Sequence, residues 1–328
     1  MKKDFLSISD LLAEEIWQVI FLAIKLKQEL GEIGRNRPFL EGKNMVMIFE
    51  KPSLRTKLSF DMAMNQLGGH AVCFGIEEVG LGKREEIKDA ARVVSSMADV
   101  VMARTFLHKS IEELATYSKV PVINGLSDLE HPCQILADLM TIYEIKGKLE
   151  GLKLAFVGDG ENNVTHSLAL ASGILGMDFV CASPNGYGMN QKVYEKVREI
   201  VYPANIKSQN FSVTQITDPY EALKDADVVY TDTWVSMGDE KEKEKRNRDF
   251  KDYQVTSDLM KHAKEDAIFM HDMPVYRGSE VSVEVIDGPQ SVIYQQAENR
   301  LHAQKGLLVY LLVKEKYDEY YVREMNYD

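Results

Sequence analysis

The sequence predicts an α/β protein of two doubly wound domains, each a parallel sheet flanked by helices and joined by bridging helices. Three observations carry that prediction. Short β-branched apolar runs alternate with longer amphipathic stretches along the whole chain. The connections between them are short, as strand-helix-strand crossovers require. The chain has 328 residues, enough for two domains that each bury a core.

Strands are expected at 45–49, 71–74, 99–103 and 120–124, and a second series at 152–157, 179–182, 227–231 and 267–271. Amphipathic patterns between them predict helices at 57–67, 85–97, 111–117, 134–145 and 191–200. Residues 146–151 (KGKLEG) hold two glycines and no apolar run, which marks the break between the halves. The expected domains are 1–148 and 149–304. A long C-terminal helix, apolar over 299–317, returns to complete the first domain with residues 305–328. No period of ~20–50 residues recurs, so a solenoid is not expected. The run 238–252 (GDEKEKEKRNRDFKD) mixes both signs and reads as a solvated face, with a flap over a site as the other reading.

Composition narrows the function classes. The chain carries 39 Lys+Arg against 51 Asp+Glu, a net charge of −12. That balance argues against a nucleic-acid or anionic-membrane surface; an anion would need a locally basic pocket. Three widely spaced cysteines, Cys73, Cys133 and Cys181, form no pair motif and point to a reducing, cytoplasmic setting. No secretory leader and no ~20-residue apolar span is visible in the sequence.

Polar clusters stand at successive expected strand ends, where ligands gather in open parallel sheets. After the strand at 45–49, Ser53 can cap a helix whose first turn carries Leu54, Arg55, Thr56 and Lys57. A helix N-terminus with hydroxyl and cationic donors suits phosphate oxygens. The spacing is not that of a Walker A loop. Arg104 ends the strand at 99–103; a buried arginine there pairs with an acid or meets an anionic ligand. His131 and Gln134 open the bridging helix, where a histidine near an anion site is a candidate carbonyl polariser or proton donor. Residues 158–163 (GDGENN) begin like a dinucleotide-binding turn. Asn163 stands in place of the third glycine and no ribose-binding acid follows, so no nicotinamide cofactor is expected. Asp232, Ser236 and Met237 follow the strand at 227–231, and His271, Asp272, Met273 and Pro274 follow the last one.

Taken together and in order, these residues resemble the aspartate/ornithine carbamoyltransferase family. The landmarks are the Ser-x-Arg-Thr-Arg type loop at 53–57, Arg104, His-Pro-x-Gln at 131–134 and Gly-Asp-x-x-Asn-Asn at 158–163. Asp-x-x-x-Ser-Met-Gly at 232–238, the His-Cys-Leu-Pro position at 271–274 and Gln-Ala-Glu-Asn-Arg at 296–300 complete the set. The Ser-Met-Gly pattern marks the ornithine branch of the family against the aspartate branch.

The resemblance implies a carbamoyl-phosphate domain followed by an amino-acid domain, with a cleft between them. It implies no metal and no organic cofactor, and a homotrimer or an assembly of trimers. The implied reaction joins carbamoyl phosphate and L-ornithine into L-citrulline and phosphate. Ser53, Leu54, Arg55, Thr56 and Lys57 would hold the phosphate, and Arg104 would bridge phosphate and carbonyl oxygen. His131 and Arg300 would face that oxygen, and Gln134 would take the carbamoyl amino group. Asn163, Asp232, Ser236 and Met237 would hold the acceptor's α-amino and α-carboxylate groups. The backbone at Met273 and Pro274, joined by the cis bond common in the family, would orient the attacking amine.

Three positions depart from the family pattern. Leu54 stands where many members have threonine. Lys57 replaces an arginine, a point charge in place of a two-pronged donor. Asp272 replaces cysteine and would add a second carboxylate, with Asp232, near the acceptor's distal amine. It either serves as a base for that amine, marks a different acceptor, or is a tolerated change turned away. A weakly catalytic carbamoyl-phosphate-binding protein is the expectation from another class.

Overall fold

The computed structural model describes every residue except Met1, Lys83 and residues 202–210, 236–239 and 326–328. The chain divides into two compact units, Met1–Met140 with Glu298–Asp328, and Thr141–Ala297.

In the first unit, α1 (Ala13–Ile33) precedes β1 (Asn44–Phe49) and α2 (Leu54–Gln66). Next come β2 (His70–Gly75), α3 (Ile76–Val79), α4 (Ile87–Met97), β3 (Val100–Arg104), α5 (His108–Tyr117) and β4 (Val122–Leu126). The sheet order is β2-β1-β3-β4, parallel throughout. Its strands are apolar because both faces are covered, and Ile48, Val101, Ala103 and Val122 pack against Ala90, Ile111 and Leu114 of the helices. Strand order reverses between β1 and β3, so their carboxyl ends flank the point where a ligand crevice opens. Ser53 and Arg104 follow from that placement: one caps the helix after β1, the other ends β3.

The chain leaves this unit within α6 (Pro132–Lys146). The second unit holds β5 (Lys153–Val157), α7 (Asn163–Leu175), β6 (Asp178–Ala182), α8 (Gln191–Val201), β7 (Val213–Ile216), α9 (Pro219–Leu223) and β8 (Val228–Tyr230). Then follow α10 (Lys243–Asp249), α11 (Ser257–Met260), β9 (Ile268–Met270), α12 (Val283–Ile286) and α13 (Ile293–Met325), which returns to the first unit. The sheet order is β7-β6-β5-β8-β9, again parallel, and its switch point lies between β5 and β8. Ala155, Val157, Val229 and Phe269 of the strands pack with Leu223, Leu259 and Ile286 in its core.

The two parallel sheets flanked by helices match the expected fold class, and the eight expected strands lie within one or two residues of the observed ones. The edge strand β7 was not anticipated, because its residues Val213–Ile216 (VTQI) are short and only one is fully buried. The run 238–252 is a correction where it is described. It is not uniformly solvated, since Arg246 is 5% exposed and its guanidinium donates to Asp159 Oδ2 at 2.6 Å and to the Trp234 carbonyl at 3.1 Å. Among the described residues no helix is long and apolar enough to cross a membrane.

Candidate active site

The first unit builds a cationic cluster at the carboxyl ends of β1 and β3. Ser53 caps α2 by accepting the Thr56 N–H at 3.3 Å, which fixes the first turn and leaves its remaining N–H groups at the positive end of the helix. Thr56 is buried, and its hydroxyl oxygen accepts from Arg300 at 3.0 Å and from Arg104 at 3.5 Å. One oxygen thus draws two guanidinium groups to a single point. Arg300 also donates to Gln134 Oε1 at 2.6 Å, while Gln134 Nε2 donates to Asp138 at 2.8 Å, so the amide is held from both ends. Arg55 is half-buried on the same turn, whereas Leu54 and Lys57 are exposed.

His131 is buried at the entry to α6. Burial, then the Arg300 and Arg104 charges, hold its imidazolium well below the usual histidine range, so the ring is neutral at neutral pH. A neutral imidazole among arginines can donate to a carbonyl oxygen without adding a charge. Cys133 beside it is no nucleophile: burial pushes its thiol up to about 12, and its sulfur donates to the Asn124 carbonyl.

In the second unit the turn after β5 and the ends of β8 and β9 form another polar cluster. Gly160 lets this turn pass close to its neighbour, since a Cβ there would lie 2.6 Å from the Tyr187 carbonyl oxygen and 3.0 Å from the Met189 nitrogen. Asn162 caps α7, accepting the Val164 N–H at 2.7 Å, and its amide donates to Asp232 Oδ2 at 2.6 Å. The Thr233 N–H donates to the other Asp232 oxygen at 2.6 Å. The residue that reaches Asp232 is therefore Asn162; Asn163 is half-buried in the first turn of α7. Ser236 and Met237 lie outside the described residues.

Asp272 follows β9 with its carboxylate 3.6 Å from His271 Nδ1. Met273 adopts φ 62° and joins Pro274 through a cis bond. The Met273 N–H donates to His271 Nδ1 at 2.9 Å, so the ring hydrogen sits on Nε2, 3.1 Å from buried Glu280. Asp232, His271 and Asp272 each bring one oxygen or nitrogen within 4.8 Å of the others. Both imidazole nitrogens already have partners, Nδ1 the Met273 N–H and Nε2 Glu280. Sequence reading missed Asn162, Asp138, Arg246 and Glu280. Of these only Asn162 carried a signal, an Asn in the N-cap position.

Residues 3–144 match the carbamoyl-P binding domain of aspartate/ornithine carbamoyltransferase, and residues 150–311 match its Asp/Orn binding domain. An ornithine carbamoyltransferase of Anoxybacillus flavithermus is 51% identical over 310 residues, 94% of this chain and 96% of that one. The anabolic ornithine carbamoyltransferase of Pyrococcus furiosus is 49% identical over 94% of this chain and 96% of its own. The solved ornithine carbamoyltransferase structure from Pyrococcus furiosus superposes with a TM-score of 0.89 at 48% identity, covering 95% of this chain and 97% of that one. This chain belongs to the aspartate/ornithine carbamoyltransferase family.

Proposed function

We propose that this chain transfers the carbamoyl group of carbamoyl phosphate to the side-chain amine of L-ornithine, giving L-citrulline and phosphate. The observation that carries the reading is the convergence of Arg104 and Arg300 on Thr56 at the N-terminus of α2, with Gln134 held by Arg300 and a neutral His131 under the influence of both arginines. Phosphate is held there by Ser53, Leu54, Arg55, Thr56 and Lys57, through backbone N–H groups, hydroxyls and cations. Arg104 spans phosphate and carbonyl oxygen. Arg300 and His131 donate to the carbonyl oxygen, which becomes an oxyanion in the tetrahedral intermediate. Gln134 accepts from the carbamoyl amino group on the second lone pair of Oε1. Asn163, Asp232, Ser236 and Met237 hold the α-amino and α-carboxylate ends of ornithine, and Asp272 and Met273 adjoin the attacking amine. The relatives' names point to ornithine, and the Ser-Met-Gly sequence supports an acceptor with an α-amino-acid end.

Assembly as a homotrimer or an assembly of trimers belongs to the same reading. The exposed apolar side chains Leu54 and Leu58 of α2, and Val93 and Met97 of α4, support it. A cytoplasmic setting fits three free cysteines. Light scattering reads the assembly. A citrulline-forming assay with carbamoyl phosphate and a panel of amino acids and diamines tests the reaction: turnover with ornithine above every other acceptor is expected, and its absence overturns the reading.

A further inference from the structure

Parallel pairing of β8 and β9 puts Tyr230 opposite Met270. Two residues further along each strand end stand Asp232 and Asp272. The shared register therefore delivers two carboxyl groups side by side, close enough to share a hydrogen. Asp232 is 6% exposed, and the Asp272 side chain 13%.

We propose that Asp232 and Asp272 act as one acid pair that holds a single proton at rest, and that this pair takes the proton from the acceptor's side-chain ammonium. The proposal rests on the carbamoyl-transfer reading and makes Asp272 a catalytic residue of it.

Two adjacent carboxylates out of water repel each other strongly, and keeping one proton between them removes the repulsion. The surrounding groups leave that solution in place. His271, at the end of β9, accepts the Met273 N–H on Nδ1 and turns Nε2 to Glu280. Glu280 is itself an acid. On the turn after β5, Asp159 is taken up by Arg246 of α10, whose guanidinium also lies 3.5 Å from Glu161. Asn162 and the Thr233 N–H donate to the Asp232 oxygens, so the anionic share of the pair has fixed donors. Burial, with the Asp272 carboxylate beside it, holds the Asp232 carboxyl well above the usual carboxylate range.

A pair carrying one proton has a net charge of −1 and matches an incoming ammonium. An amine of ordinary pKa near about 10 is protonated at neutral pH and cannot attack. Passing its proton to the pair gives a neutral amine and two neutral carboxyl groups. The nitrogen lone pair then forms the C–N bond to the carbamoyl carbon, and the C–O bond to phosphate breaks with its electrons going to phosphate. The second amine proton leaves on the phosphate, and the first returns from the pair to solvent. Burial disfavours the remaining negative charge of the pair and so raises its basicity above that of a carboxylate in water, which makes the first transfer less uphill.

The test is the pH dependence of kcat in wild type, D272N and D272C, together with infrared spectra of wild type, D232N and D272N. In wild type, kcat falls with acidity as the pair takes its second proton. In D272C the Asp232 anion loses the hydrogen that its protonated partner donates, so the acid limb moves up by at least about one pH unit, and kcat falls by about 10²-fold. Wild type at neutral pH shows a carboxylic-acid carbonyl band that both single variants lack. An acid limb in folded D272C that is unmoved or moves down overturns the proposal, and so does a band that survives in D272N. Wild type that makes no citrulline at any pH overturns the transfer reading instead, while the infrared arm still judges the proton sharing.

Discussion

Asn162→Ala separates two jobs that one side chain performs. As the N-cap of α7 it accepts the Val164 N–H at 2.7 Å, and as a donor it meets Asp232 at 2.6 Å. Loss of the cap removes about 1 kcal/mol. Loss of a hydrogen bond to a buried carboxyl removes about 1.5–3 kcal/mol more. The second unit is therefore expected to lose about 2.5–4 kcal/mol, a large share of the roughly 5–15 kcal/mol that stabilises a domain. The chain has two tryptophans, Trp17 in the first unit and Trp234 in the second, so urea unfolding followed by fluorescence in a W17F background reports the second unit alone. Asn162→Asp keeps a capping oxygen but sets a carboxylate against Asp232. Protonation relieves that repulsion, so the stability of this variant relative to Asn162→Ala rises as pH falls. In both variants KM for ornithine rises while KM for carbamoyl phosphate holds. A loss below about 0.5 kcal/mol in Asn162→Ala, within the scatter of surface substitutions, refutes the reasoning. So does an Asn162→Asp variant as stable as wild type at neutral pH.

Arg300→Ala removes donors from Gln134 and Thr56 together, and kcat/KM for carbamoyl phosphate is expected to fall by about 10²–10³-fold in steady-state assays. Arg300→Lys leaves most of that loss in place, since an ammonium cannot supply the fork. Lys305 is buried, with its ammonium donating to Asn36 at 2.6 Å, and burial holds it down at about 8 against an ordinary 10.5. Between pH 8 and 10.5 the unfolded chain binds the extra proton, so wild type gains stability relative to Lys305→Met as pH rises through that window. Below pH 8 the difference is flat, and urea midpoints across the range check it.

The sequence by itself determined the fold class, because fully buried parallel strands must be continuous apolar runs while their crossover helices must be amphipathic. It also located the strand ends at which Ser53, Arg104, Asp232 and Asp272 stand, since those ends are where polar residues interrupt the apolar pattern. Short or half-exposed elements escaped it. The edge strand Val213–Ile216 has too few buried residues to stand out, and Arg246 was hidden in a run of mixed charge whose local composition says only that it is polar. Tertiary structure alone decided the pairings. Arg300 and Gln134 are 166 positions apart and Asn162 and Asp232 are 70 apart, and no local periodicity encodes a hydrogen bond across that separation. The proximity of Asp232 to Asp272 was implied by the family resemblance and not by local pattern, and the parallel register of β8 and β9 is the physical cause that makes them neighbours.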